Sequence, residues 1–139
     1  MPILTWSESL SVGVDEFDNQ HRKLINMINA LHDAMAKGQG REILGPLLDA
    51  LVQYTATHFA SEEKRMQQLH YPSYLQHKVE HDTLTRQVRD LKQRFDAGKT
   101  TITLEVMKFL REWLTNHIQG TDRKYGPFFA QHQLQGARG

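Results

Sequence analysis

The sequence contains no cysteine, which removes disulfides, thiolate nucleophiles and cysteine-ligated zinc or iron–sulfur sites together. That absence fits a reducing compartment, and a cytoplasmic location is the expectation. No stretch approaches the ~18 continuous apolar residues of a membrane span. The opening MPILTWSESLSVGVDEFD lacks both the basic start and the apolar run of a secretion signal. Charge of one sign is also lacking: seventeen basic residues against sixteen acidic ones give +1, too little for an electrostatic grip on nucleic acid or a membrane surface. Low-complexity runs and Pro/Ser-rich linkers do not occur. What the chain has in excess is histidine, eight in 139 residues.

At this length one domain is expected, spanning 1–139 with an arm (1–16), a bundle (about 17–122) and a tail (123–139). Apolar residues recur at alternating steps of three and four, the period of amphipathic helices. The first stripe is Phe17, His21, Leu24, Ile28, Leu31 and Met35, ended by Gly38 and Gly40. The second is Leu44, Leu48, Leu51, Thr55, His58 and Glu62, with Pro46 suited to a first turn. The third runs Tyr74, His77, His81, Leu84, Val88, Leu91 and Phe95, with Ser73 as N-cap and Gly98 as stop. The fourth, after Lys99-Thr100-Thr101, reads Val106, Leu110, Trp113 and His117, with Gly126-Pro127 as terminator. Helices of about twenty residues joined by short loops must run antiparallel. The expected fold is all-α, an up-down-up-down four-helix bundle with an N-terminal arm. Trp6, Leu10 and Val14 of the arm are expected to pack across helix ends, whereas Phe128, Phe129 and Leu134 of the tail are compatible with docking or fraying.

His21, His58, Glu62, His77, His81 and His117 occupy stripe positions where the pattern demands an apolar side chain. Burying an ionised carboxylate or unpaired imidazole costs several kcal/mol unless something compensates. One core histidine is ordinarily just hydrogen-bonded; so many, on all four stripes, point to a shared cation. The His58/Glu62 and His77/His81 pairs are spaced i, i+4, which places each pair on one helix face. Asp122 follows His117 by five residues, about 140° around an ideal helix. Both reach one site only if the turn at Gly120 is widened or unwound. Imidazole and carboxylate without thiolate suit iron, zinc, manganese or copper. Seven such ligands exceed the needs of one ion, so two ions sharing the carboxylates, with one position left for a small ligand, is the natural arrangement.

The set His21, His58-x-x-x-Glu62, His77-x-x-x-His81 and His117-x-x-x-x-Asp122 resembles the di-iron motif of the hemerythrin family. Flanking residues agree: Trp6, Asn19-Gln20-His21, His58-Phe59, Trp113-Leu114 and Tyr125-Gly126-Pro127, so that the resemblance covers residues 3 to 129. It implies two iron ions joined by an oxo or hydroxo bridge and by Glu62 and Asp122. His77, His81 and His117 would hold the saturated iron, and His21 and His58 the iron that keeps an open position for dioxygen. Leu114 matches the apolar residue lining the oxygen pocket, with Leu24, Phe59, Trp113 and Ile118 as its neighbours. The implied function is reversible dioxygen binding for transport, storage or delivery to an oxygen-consuming enzyme, without catalysis. No nucleic-acid partner and no membrane insertion are expected.

An oxidase or peroxidase of the ferritin-like kind would need two Glu-x-x-His motifs, and none occurs; Asp18-x-x-His21 is the nearest. His-Glu-x-x-His is absent too, against a zinc peptidase. The alternatives left open are a di-iron redox enzyme with a secondary peroxidase-like, oxidase-like or nitric-oxide reaction, and a role as oxygen or redox sensor. His32, His70 and His132 fall off the ligand pattern and read as surface or loop residues, and Lys78, Glu80 and Asp82 as a solvated helix face.

Overall fold

The structure is a computed structural model and describes residues 3–99, 101–129 and 131. Four helices form: α1 (Asp15–Ala36), α2 (Arg41–Gln68), α3 (Tyr74–Asp96) and α4 (Leu104–Asn116). They make the expected antiparallel bundle, with α1 against α2 and α4 and α2 against α3. No strand occurs among the described residues. The stripes face inward: Phe17, Leu24, Ile28 and Leu31 of α1 meet Leu48 and Leu51 of α2 and Met107 and Leu110 of α4 in one core without solvent exposure.

Helix ends follow local backbone chemistry. At Gly38 and Gly98 the chain turns left-handed (φ +71° and +76°), and the two residues after each cap donate back into the last turn. His70 takes the same conformation (φ 56°) at the end of α2. Thr103 caps α4 by accepting from the Val106 N–H at 3.2 Å. Ser73 occupies the N-cap position of α3, but its hydroxyl makes no capping bond there.

Pro46 lies in the second turn of α2 rather than the first, because the helix starts at Arg41. It withholds a hydrogen bond from the Glu42 carbonyl, which lies on an exposed residue. Gly45 before it has no Cβ to clash with the proline ring. Gly126-Pro127 does not terminate the last helix. Helix α4 passes into a π turn (His117–Thr121) and a 3-10 turn (Asp122–Tyr125), and residues 126–129 are helical again. Proline is tolerated there because a first-turn N–H needs no partner.

The arm does more than cross helix ends, since it also runs along α1. Asn29 accepts the backbone N–H groups of Ile3 and Leu4 at 3.1 Å and donates to the Leu4 carbonyl at 2.8 Å. Asp18, buried, accepts from the Val12 N–H at 2.8 Å and the Ser11 hydroxyl at 2.6 Å. Trp6 is partly buried beneath the Arg22 guanidinium, 4.5 Å from the ring centroid. The tail docks at least as far as Phe129, which is fully buried and stacks on Tyr125 at 4.4 Å. Thr100, His132, Leu134 and the terminal Gly-Ala-Arg-Gly lie outside the described residues.

Arm and tail meet at Gly126, where an added Cβ would fall 2.1 Å from the Val12 carbonyl oxygen. Because the obstacle is backbone, Gly126→Ala must push the arm away. The expected cost is about 1–3 kcal/mol, read as a lower denaturant midpoint; an unchanged midpoint would show that the arm is not anchored there.

Candidate metal centre

Each helix delivers its stripe histidines to one level of the core. His21 comes from α1, His58 and Glu62 from α2, His77 and His81 from α3, His117 from the start of the π turn and Asp122 from the position just past it. In a regular α-helix a spacing of five would swing Asp122 away from His117. The π turn absorbs the extra residue and brings Asp122 Oδ1 to 3.0 Å from His117 Nε2. A widening at Gly120 was the geometric condition set by the sequence, and it is met.

All seven side chains are buried, with Glu62 and Asp122 at 0% exposure. They fall into two groups of potential ligands that share both carboxylates: Glu62, His77, His81, His117 and Asp122, and His21, His58, Glu62 and Asp122. Within each group one ligand atom from every residue lies within 4.8 Å of all the others. Asp122 divides its oxygens between the groups, Oδ1 at 2.8 Å from His77 Nε2 and Oδ2 at 3.1 Å from His21 Nε2. Glu62 Oε1 lies 3.2 Å from His81 Nε2 and 3.4 Å from His58 Nε2, and Oε2 lies 3.5 Å from His21 Nε2.

The chemistry of this donor set fits cations. His81 Nε2 and His117 Nε2 face one another at 3.1 Å, close enough for both nitrogens to bind one cation. His21 Nε2, His58 Nε2, Glu62 Oε1 and Asp122 Oδ2 are buried without a hydrogen-bond partner, although buried polar atoms are ordinarily paired. The charge balance agrees. Burial pushes the Glu62 carboxyl up, as does the neighbouring Asp122, but His58, His21 and His81 hold it well below the usual range. Asp122 is held low in the same way, against burial, by His117, His21 and His77. Burial alone would lower the His21 pKa; the Asp122 and Glu62 carboxylates, 3.1 and 3.5 Å from its Nε2, instead raise it to about 9. His117 is likewise raised against burial to about 10, by Asp122 and Glu80. His58 goes the other way, lowered by burial to about 4. Without a cation, two carboxylates in the core recruit protons onto imidazoles.

Of the apolar residues expected around the site, Leu24, Phe59, Trp113, Leu114 and Ile118 are all buried. Phe59 is in ring contact with the centre, stacked on His81 at 3.9 Å and 5.4 Å from His117. Trp113 lines a groove between α3 and α4 with His117, Glu80, Leu84 and Phe109. His32 and His70 lie outside both ligand groups, His32 partly buried and His70 exposed.

Several functional neighbours escaped the sequence reading. Tyr125 is fully buried and donates its hydroxyl to Glu62 Oε2; burial, with Glu62 and Asp122 beside it, pushes the phenol well above its ordinary value. Glu80, half-exposed, is more than part of a solvated face, since it accepts from His117 Nδ1 at 2.8 Å. Lys78 and Asp82 do pair at the surface, at 3.2 Å. The signal for Glu80 was its spacing, three residues after His77 and hence on the same helix flank.

In the metal-free chain, His21 and His117 hold protons that the unfolded chain releases near the ordinary 6.5. Their stabilisation is complete below that pH and is lost as pH rises through about 9 and 10. Metal-free protein should therefore melt lower at pH 10 than at pH 7. Saturating zinc, which displaces those protons, should flatten the difference. A level metal-free profile would contradict the charge balance.

Comparison with known proteins places this centre. The hemerythrin HHE cation binding domain matches residues 12–129. The bacteriohemerythrin of Methylococcus capsulatus is 41% identical over 128 residues, which is 91% of this chain and 97% of that protein. That of Stenotrophomonas maltophilia is 39% identical over 138 residues, 99% of this chain and 89% of its own length. A crystal structure of wild-type hemerythrin is similar with a TM-score of 0.86 at 40% identity, covering 90% of this chain and 96% of that one. With a fold similar to that crystal structure, a family match over most of its length and a buried cluster able to hold metal, the chain belongs to the hemerythrin family.

Proposed function

We propose that this protein binds dioxygen reversibly at two iron ions, one held by His77, His81 and His117 and the other by His21 and His58, with Glu62 and Asp122 shared between them. The observation that carries this reading is the pair of fully buried carboxylates set between a three-histidine and a two-histidine group. The two-histidine position has fewer protein ligands and therefore room for a small molecule. Reduced iron held there would supply the electron density that dioxygen draws on when bound and returns on leaving.

The chain's own residues favour return over onward reaction. Neutral imidazoles outnumber carboxylates, which moderates the stabilisation of highly oxidised iron. Leu24, Phe59, Trp113, Leu114 and Ile118, all buried, would supply an apolar wall that excludes water and anions. Tyr125, whose phenol keeps its proton at neutral pH, positions Glu62 instead of serving as an acid. These features suit a carrier, store or deliverer of dioxygen rather than an enzyme, with an oxygen-consuming enzyme as client. No helix among the described residues is long and apolar enough to cross a membrane.

The test is an optical cycle on anaerobically reduced, iron-loaded protein. A visible charge-transfer band should appear with air and vanish on degassing, repeatedly. Immediate irreversible conversion to the ferric form would overturn reversible binding and shift the assignment to an oxidase, a peroxidase or a redox sensor.

A further inference from the structure

The outer nitrogens of the histidines are not treated alike. His81 Nδ1 lies 2.8 Å from Glu63 Oε2, and His117 Nδ1 lies 2.8 Å from Glu80 Oε1. Both carboxylates thus serve the three-histidine group. Within the two-histidine group, His58 Nδ1 meets the neutral amide oxygen of Gln20 at 2.6 Å, and His21 Nδ1 has no hydrogen-bond partner. The carboxylates are themselves held. Thr121, inside the π turn, donates its hydroxyl to Glu80 at 2.7–2.8 Å, and Lys78 lies 3.8 Å from Glu63.

An imidazole that donates its free N–H to a carboxylate is a more basic ligand through its other nitrogen. Greater basicity stabilises a trivalent ion over a divalent one. We propose that Glu63 and Glu80 are positioning residues that set the two metal positions apart electronically. They favour the ferric state at His77, His81 and His117, and leave neutral donors at His21 and His58. The inference deepens the dioxygen-binding assignment and rests on it. An electron-rich iron beside a less electron-rich one with fewer ligands gives a bound oxygen molecule one position to occupy and a neighbour that readily shares charge.

The test compares wild type with Glu63→Gln, Glu80→Gln and Gln20→Glu, each loaded with iron and titrated by spectroelectrochemistry. Glutamine keeps an acceptor oxygen, so the histidine stays oriented and only the charge leaves. Losing one carboxylate should weaken the preference for ferric over ferrous iron by roughly tenfold, the low end of the usual outer-ligand effect. Tenfold corresponds to an upward shift of ~59 mV in a one-electron couple. Gln20→Glu should shift the potential downward. Zinc affinity of the metal-free protein, a readout without redox, should fall by about tenfold in the two glutamine variants. Folded variants with wild-type potentials and zinc affinities would overturn the inference. Should the glutamine variants fail to fold, Gln20→Glu decides alone: a lower potential supports it and an unchanged one refutes it. A wild-type chain that failed to load two irons would instead sink the dioxygen-binding assignment beneath it.

Discussion

Glu62 and Asp122 carry two negative charges into the middle of a bundle, where neither side chain has any exposure. The desolvation of such a pair costs several kcal/mol per ion even after relaxation, and their mutual repulsion adds to it. The surrounding core is arranged around that burden. Five histidines from four directions turn their Nε2 atoms toward the two carboxylates at 2.8–3.5 Å. Protons on imidazole offset the charge in the metal-free chain, and cations shared between the two groups offset it more completely. Bound metal would therefore stabilise this core as well as supply its chemistry.

Geometry farther out follows from bringing Asp122 to that point. Helix α4 gives up its regular form at His117, and the π turn places His117 and Asp122 on the same side. The 3-10 turn that follows delivers Tyr125 to Glu62, and Phe129 then stacks behind Tyr125. Gly126 allows the arm to pass directly over this segment, while Asp18 and Asn29 bind the arm to α1. Arm, last turn and tail thus close over the end of the bundle that holds the centre.

The four helices and six members of the cluster were legible because histidine and glutamate stand out on an apolar stripe, and because period locates the face. Asp122, off the stripe, was reached only through its spacing from His117 and the resemblance to the hemerythrin motif. Gly120 even marked where regular helix had to fail. What was not legible depends on contacts between distant segments. Nothing local tells that Asp18 holds the arm instead of joining His21, or that Glu80 reaches His117 across 37 positions. Glu80 shares its helix turn with Lys78 and Asp82, and only the approach of the π turn separates its role from theirs. The helical continuation beyond Gly126-Pro127 was hidden for the same reason. A Gly-Pro pair stops a helix in isolation, yet here packing of Phe129 against Tyr125 and Phe17 supports a new turn.

One buried pair of carboxylates, Glu62 and Asp122, is placed where two metal ions could share it. Anaerobic titration of the metal-free chain with ferrous iron, followed by Mössbauer spectroscopy, tests it most directly. Saturation at two irons per chain is expected and, after oxidation, two antiferromagnetically coupled ferric sites with distinct surroundings. Saturation at a single iron, or two irons that behave as isolated paramagnets, would contradict it.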